Sequence, residues 1–343
     1  MLGMDKLINK IIPGDCVEIL NGIKKPFADL IFADPPFNIG YKYDKYKDSR
    51  KKEHYIEWTK EWMKACCNVL KPTGSFYIAI GDDYAANVKV IADELGLVMR
   101  NWIIWHYTFG QQTKDKFARS HTHIFYFVKN KDNFVFNGDA VRMISDRQGV
   151  YKDKRANREG KMPDDVWDVY PRLCGTFDER TDFPCQMPES LLARIIRVSS
   201  KEDGWVLDPF SGSGTTAIVS AKLGRHYTGI ELSPKYAEES RNRIKKFGKS
   251  TVEGEGPRRW TEHMDMELKW LYHENKVPTE QLRDDDYLLD LFTEKFNNRI
   301  ENKSNRLDQK EIIRRLIQLR KRGKLGSLRG EKIRTNGVKD EIK

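Results

Sequence analysis

The stretch GWVLDPFSGSGTT, residues 204–216, runs from a short apolar segment through a turn with glycines at 212 and 214. AIVSAKLG (217–224) follows with helical character, and HYTGIEL (226–232) reads as the next strand. Strand, glycine turn, helix and strand make a βαβ unit, the building block of a parallel sheet with helices on its faces. Gly212 and Gly214 free the backbone to turn tightly and to approach a ligand closely.

The turn does not match the common nucleotide loops. Thr215 stands where a phosphate-binding loop needs its lysine, and a G-x-G-x-x-G pattern fails because residue 217 is Ala. A dinucleotide fingerprint ending in alanine remains open, as does a turn needed only for packing. Asp208, at the carboxyl end of the first strand, can take a cation or an amino group. Glu231 lies seventeen residues beyond Gly214, at the end of the next strand, where an acid can accept both hydroxyls of a ribose. A ligand with a ribose, an amino group and a positive charge but no phosphate fits this set, and S-adenosylmethionine is such a ligand.

Outward from this unit, ESLLARIIRVSS (189–200) and residues 234–247 read as helices. Nearer the N-terminus, ADLIFA (28–33), SFYIAIG (75–81), NWIIWHYT (101–108) and THIFYFVK (122–129) read as strands. Residues 54–70 and 83–95 have apolar groups at helical spacing, with KPTG closing the first helix and Gly96 capping the second. YKYDKYKDSRKKEH, beginning at Tyr41, reads as a mobile surface loop. From 109 to 180 the periodicity fails and the composition turns polar and basic, which reads as a long surface insertion. Loops of this length are usually functional or disordered.

The strand ADLIFA ends in ADPPFNIG (33–40). Pro35 and Pro36 cannot continue a strand, so Asp34, Phe37 and Asn38 are held at a rigid turn. This arrangement suits the exocyclic amine of a nucleobase, whose lone pair is delocalised into the ring. Asp34 and the Pro35 carbonyl, both accepting from the amine N–H groups, would draw the nitrogen towards tetrahedral geometry for attack on a methyl group. Phe37 would stack on the ring, and a base in a duplex would first have to be flipped out.

GDCVEIL (14–20), ADPPFNIG, DFPCQMPESLLARII (182–196), DPFSGSGTTA (208–217) and GIELSPKYAEESRNRI (229–244) together resemble the DNA amino-methyltransferases that modify adenine N6 or cytosine N4. With the DPPF motif ahead of the glycine turn, the order is similar to that of the permuted β class. The resemblance covers roughly residues 12–248. It implies an α/β, Rossmann-like S-adenosylmethionine-dependent methyltransferase sheet with helices on both faces, acting on double-stranded DNA. It also implies an inserted target-recognition region and makes a cognate restriction endonuclease a candidate partner.

By that resemblance Asp34, Pro35, Pro36 and Phe37 meet the target amine. Asp208, Phe210, Gly212, Gly214 and Thr215 line the methionine part of the cofactor, and Glu231 takes the ribose. Asp15 and Cys16 lie near the cofactor's adenine and Gln186 near its carboxylate. The family's pattern resembles His-Pro-Thr-Gln-Lys-Pro where this chain has Phe183-Pro-Cys-Gln-Met-Pro188, so Met187 replaces a lysine. An Asp at the head of the motif resembles the adenine enzymes more than the cytosine ones.

The expected segments are a catalytic half (1–108), a strand plus target-recognition region (109–180), a cofactor half (181–248), a linker (249–259) and a basic helical extension (260–343). Residues 310–334 hold ten Lys/Arg against Glu311 and Glu331, and the whole 343-residue chain has a net charge of +10. Such a charge suits a polyanionic partner. Expected DNA contacts are Asn38, Tyr41 and Lys42 after the motif, Lys114, Lys116 and Arg119 in the insertion, and Arg314, Arg315 and Lys321 in the tail. Dimerisation is the alternative role of the tail. Trp58, Trp62, Trp102 and Trp105 are expected in the core.

The five cysteines (Cys16, Cys66, Cys67, Cys174, Cys185) form no C-x-x-C pair. His106, His121 and His123 lack a completing ligand in sequence, so no metal is expected. With no signal-peptide pattern and no membrane-length apolar run, the chain reads as cytoplasmic and nucleoid-associated.

Overall fold

The computed structural model describes residues 3–111, 113–173, 179–183, 185–250, 260–300, 306–326 and 328. Cys174, Pro184, most of the expected linker (251–259) and the basic residues Arg329, Lys332 and Arg334 lie outside them. The chain divides into two compact units, Met1–Asn137 with Asp164–Lys249, and Gly138–Pro163 with Ser250–Lys343.

The elements run β1 (Lys10–Pro13), α1 (Cys16–Asn21), β2 (Ala28–Ala33), α2 (Lys52–Val69), β3 (Leu70–Ile80), α3 (Asp82–Glu94), β4 (Val98–Gln111) and β5 (Arg119–Val128). The short α4 (Asp146–Gly149) belongs to the second unit. Back in the first come β6 (Val166–Trp167), α5 (Glu189–Ser199), β7 (Trp205–Asp208), α6 (Thr215–Lys222), β8 (His226–Glu231) and α7 (Pro234–Ser250). The second unit resumes with α8 (Glu262–Asn275), α9 (Thr279–Asp284), α10 (Asp286–Arg299) and α11 (Gln309–Lys321).

The first unit is an eight-stranded sheet in the order β1-β8-β7-β2-β3-β5-β4-β6. The run from β1 to β3 is parallel, and β5 is antiparallel to both β3 and β4. This is the expected α/β, Rossmann-like sheet. β2 is buried except at the half-buried Asp29, which is why residues 30–33 are a continuous apolar run rather than an alternating one. Trp62, Met63, Cys66 and Val69 of α2 close the core over Ile31, Phe76 and Ile78.

Three details depart from the sequence reading. Lys71-Pro-Thr-Gly74 does not close a helix; α2 ends at Val69 and these residues begin β3. Ala28 pairs with Leu70 and Leu30 with Ser75, so residues 71–74 bulge out of the ladder and the proline needs no ladder partner. β1 and α1, too short to signal by periodicity, are real elements. Residues 138–163, read as part of one insertion from 109 to 180, instead pack with the C-terminal helices. Asn275 Oδ1 accepts from the Ile144 amide at 2.6 Å, and Gln281 Nε2 donates to the Gly149 carbonyl at 3.0 Å.

The second unit has its own core of Leu268, Leu271, Phe292, Phe296, Ile312 and Leu316. Arg299 of α10 is buried against Glu267 and Glu274 of α8. The helical extension is thus a folded unit in which α11 buries Ile312, Leu316 and Leu319.

Candidate active site

The parallel register brings four strand ends side by side. Pro13 of β1 pairs with Glu231 of β8, Asp208 of β7 with Gly229 of β8, and Ile31 of β2 with Leu207 of β7. Asp34 and Asp208 therefore emerge from neighbouring strands and face one cavity of about 370 Å³. The carboxyl ends of parallel strands are where open α/β sheets bind ligands.

The glycine turn is built as its sequence requires. Gly212 has φ +49° and Gly214 φ +76°, a region that disfavours side chains. A Cβ on Gly212 would come within 2.6 Å of the Phe183 ring, and one on Gly214 within 2.9 Å of Ser240. Ser240 Oγ donates to the Gly212 carbonyl at 2.7 Å, fastening the turn to α7.

The acids have defined partners. Asp208 Oδ1 accepts from the Phe210 amide at 2.9 Å, and its Oδ2 from the Thr216 hydroxyl at 2.6 Å. Glu231 Oε2 accepts from the Gly212 amide at 2.8 Å, while Oε1 takes the Ser233 amide at 2.9 Å. Burial, with Asp208 nearby, pushes the Asp34 carboxyl up to about 8. Burial pushes Asp208 up to about 7, opposed by its two hydrogen bonds and helped by Glu231. Burial also raises Glu231. Three desolvated acids at one cavity strongly favour a cationic ligand. A cradle that admits no Cβ, beside such acids, fits the sulfonium and amino groups of S-adenosylmethionine.

The other expected cofactor residues line the same cavity. Asp15 caps α1, accepting from Val17 N at 2.8 Å and Glu18 N at 3.1 Å. Cys16 is buried beside it, which pushes its thiol up to about 12. Gln186 is buried, with Oε1 accepting from Thr181 N (2.8 Å) and Nε2 donating to the Glu179 carbonyl (2.7 Å). Thr215 accepts from Arg243 at 3.0 Å, and Arg243 is in turn paired with Glu189 at 3.0 Å. Met187 is buried in the wall, so an apolar contact stands where the resembled pattern has a lysine.

The segment after DPPF is not a loose loop. Asp48, buried to 2% exposure, accepts from the amides of Asn38 (2.7 Å), Ile39 (3.1 Å) and Tyr41 (2.9 Å). Arg50 lies 5.0 Å from the ring centres of both Tyr46 and Trp58. Tyr43 and Tyr46 are thereby turned onto the cavity.

Two of the expected DNA contacts have partners within the chain. The Asn38 side chain is committed within the chain: Nδ2 donates to the Arg50 carbonyl (2.9 Å) and Tyr84 hydroxyl (2.7 Å), and Oδ1 accepts from Arg50 N (2.6 Å). Its left-handed φ of +58° explains the choice of Asn. Arg315 is a bidentate partner of Asp265, which neutralises it. Tyr41, Lys42, Lys114, Lys116, Arg314 and Lys321 are exposed. Arg119 reaches the cavity rim.

Several cavity residues carry no motif. Trp105 is buried and Trp58 packs against the core, as expected, and both also wall the site, as do Tyr107 and Tyr236. Trp102, also expected in the core, is 38% exposed. The strand carrying Trp105 and Tyr107 was legible as aromatic; which face met the cavity was not.

The histidines acquire the carboxylate that the sequence did not offer. Asp82 Oδ1 lies 3.3 Å from His121 Nε2 and 3.1 Å from His123 Nε2, and Arg119 Nε lies 2.8 Å from Asp82 Oδ2. The Trp102 indole, which can only donate, meets His123 Nδ1 at 2.9 Å. His123 therefore carries its proton on Nε2 and gives it to Asp82, leaving no lone pair there for a metal. Burial and His121 lower the pKa of His123, in keeping with a neutral ring. The cluster is a polar lock.

The open α/β sheet thus gathers a glycine turn, three desolvated acids and a rigid Asp-Pro-Pro-Phe turn at one cavity. The family model described as DNA methylase, N6/N4 type, matches residues 28–242. The chain belongs to this family of S-adenosylmethionine-dependent DNA amino-methyltransferases. It is 36% identical over 243 residues to the DNA adenine methyltransferase YhdJ of Escherichia coli (strain K12), spanning 68% of this chain and 82% of that one. It is 34% identical over 237 residues to the Type II methyltransferase M.HpaI of Haemophilus parainfluenzae, spanning 68% and 74%. The PvuII DNA methyltransferase (cytosine-N4-specific) shares the fold, with a TM-score of 0.54 at 16% identity over 78% of this chain and 95% of that one.

Proposed function

We propose that this protein transfers a methyl group from S-adenosylmethionine to the N6 amine of an adenine flipped out of double-stranded DNA. The observation that carries this reading is the placement of Asp34, on its proline turn, beside Asp208 at one cavity. The adenine specificity named for YhdJ supports the choice of base.

When bound, S-adenosylmethionine supplies an electrophilic methyl on a positively charged sulfur. Glu231 and Asp15 hold its nucleoside end, and Asp208 with the Gly212–Thr215 turn holds its amino-acid end. Asp34 in its carboxylate form and the Pro35 carbonyl accept from the target amine. They orient its lone pair, and Asp34 can receive the proton that the amine sheds. Phe37 packs on the base plane, and Tyr43 with Tyr46 excludes water.

The Lys114–Arg119 segment and exposed tail cations such as Arg314 and Lys321 are candidate phosphate contacts. The Type II name of M.HpaI supports a paired restriction endonuclease. No helix among the described residues is long and apolar enough to cross a membrane, and the basic charge supports residence on the nucleoid.

The test is to incubate the protein with radiolabelled S-adenosylmethionine and unmethylated genomic DNA, then separate the nucleosides. Label in N6-methyladenine is expected. Label in N4-methylcytosine would keep the mechanism and overturn the base.

A further inference from the structure

The strands β4 and β5 wall the cavity through Trp105, Tyr107, His121 and Thr122. Their connection passes through Thr113-Lys-Asp-Lys-Phe-Ala118, at whose end Phe117 is fully exposed, at 100%. The next most exposed large apolar side chain among the described residues, Tyr151, stands at 75%. A single half-exposed apolar residue needs no explanation. A phenylalanine without cover, between two exposed lysines and an arginine, does.

The arm that carries Phe117 is held at its base. The Thr113 hydroxyl donates to the Lys116 carbonyl. Arg119 pairs with Asp82 (2.8 Å) and Asp83 (3.4 Å) on the first turn of α3. Asp82 also gathers His121 and His123, and Trp102 fixes His123. The Asp82 lock thus anchors the arm at the rim of the cavity that Arg119 and His121 help to line. Lys114 and Lys116, exposed just before Phe117, suit phosphates, and an aromatic face suits stacked bases.

We propose that Phe117 is a wedge that enters the duplex at the target base pair and occupies the stack vacated by the extruded base. This rests on reading the cavity as a site for a base flipped out of duplex DNA. The partner is the base stack beside the target, with Lys114 and Lys116 on its phosphates.

A wedge acts on the opening of a paired duplex, so its removal is felt less where the pair is already broken. The experiment compares full-length wild type, Phe117→Ala and Phe117→Trp on two duplexes of the sequence that the wild type methylates in genomic DNA. One duplex is fully paired, and the other carries a mismatch opposite the target. Phe117→Ala is expected to lower kcat/KM at least tenfold on the paired duplex and less than threefold on the mismatched one. Phe117→Trp should stay within threefold of wild type on both, and the thermal midpoint of Phe117→Ala should not move, since the ring is uncovered. With 2-aminopurine at the target, wild type should raise its fluorescence on binding and Phe117→Ala should not.

Equal kcat/KM for Phe117→Ala and wild type on the paired duplex would overturn the wedge, as would an equal loss on both duplexes. A wild type that methylates no DNA would remove the parent reading and the wedge with it, an outcome distinct from either.

Discussion

The Tyr55 hydroxyl donates to the Pro36 carbonyl at 2.6 Å, tying the first buried residue of α2 to the middle of the Asp-Pro-Pro-Phe turn. Tyr55 is fully buried, packed against Trp58 and Tyr84. Rigidity of the DPPF turn thus comes from a helix as well as from proline geometry. Tyr55→Phe removes one buried hydrogen bond, worth about 0.5–1.5 kcal/mol. We expect kcat to fall about three- to tenfold with the cofactor Kd unchanged, as measured by single-turnover methyl transfer and calorimetry.

The raised acids give the enzyme a pH dependence of definite sign. In the proposed reaction Asp34 can accept the proton shed by the amine only as a carboxylate, and burial with Asp208 nearby puts its pKa at about 8. Single-turnover methyl transfer should therefore rise from pH 6.5 and level off above about pH 8. Stability of the ligand-free protein should move the other way. Between the ordinary carboxylate value and about 8, the unfolded chain binds fewer protons than the folded one, so the contribution of Asp34 is lost as pH rises. The thermal midpoint should fall from pH 5 to 8.5, and Asp34→Asn should flatten that fall.

Glu231 joins two parts of the cradle, since it receives the Gly212 and Ser233 amides while lining the cavity. In Glu231→Gln an amide N–H group must confront one of those two donors. We expect S-adenosylmethionine affinity to drop about 10- to 100-fold, which corresponds to about 1.4–2.8 kcal/mol. Isothermal titration reads this directly, and an unchanged Kd would remove Glu231 from the cofactor site.

Asp48 holds the aromatic segment through three amides. Asp48→Ala should leave those donors unmet, expose residues 39–50 to limited proteolysis and raise the KM for DNA, while the cofactor Kd stays within about threefold, below the 1.4 kcal/mol that marks a tenfold change.

In the helical unit, Arg299→Ala would leave Glu267 and Glu274 buried without their cation. Breaking a buried ion pair costs about 3–5 kcal/mol. Denaturant unfolding should show a destabilised transition for the second unit, with the cofactor Kd of the first unaltered.

Much of this site was legible in the chain. Two adjacent prolines after an apolar run read as a turn, and two glycines between a strand and a helix read as a ligand cradle, with a packing turn as the alternative. β2, Ala28–Ala33, matches the strand read from its sequence, and its C-terminal boundary is set by the prolines that follow. Less legible were features that depend on partners far apart in sequence. Asn38 sits beside the catalytic motif, yet its role is set by Arg50 and Tyr84. Asp82 completes a cluster with His121 and His123 only because α3 and β5 pack together. The division of the insertion at 138–163 depends on hydrogen bonds to Asn275 and Gln281, which no local pattern announces.

The central claim is that Asp34 orients the target amine and is not required for the cofactor to bind. The most direct measurement is single-turnover methyl transfer by Asp34→Asn, alongside calorimetric titration of S-adenosylmethionine into the same preparation. Asparagine keeps the shape of the side chain and removes the charge, so the account predicts transfer reduced by at least a thousandfold, about 4 kcal/mol of transition-state stabilisation, with the cofactor still binding. Transfer at a rate near that of wild type would contradict it.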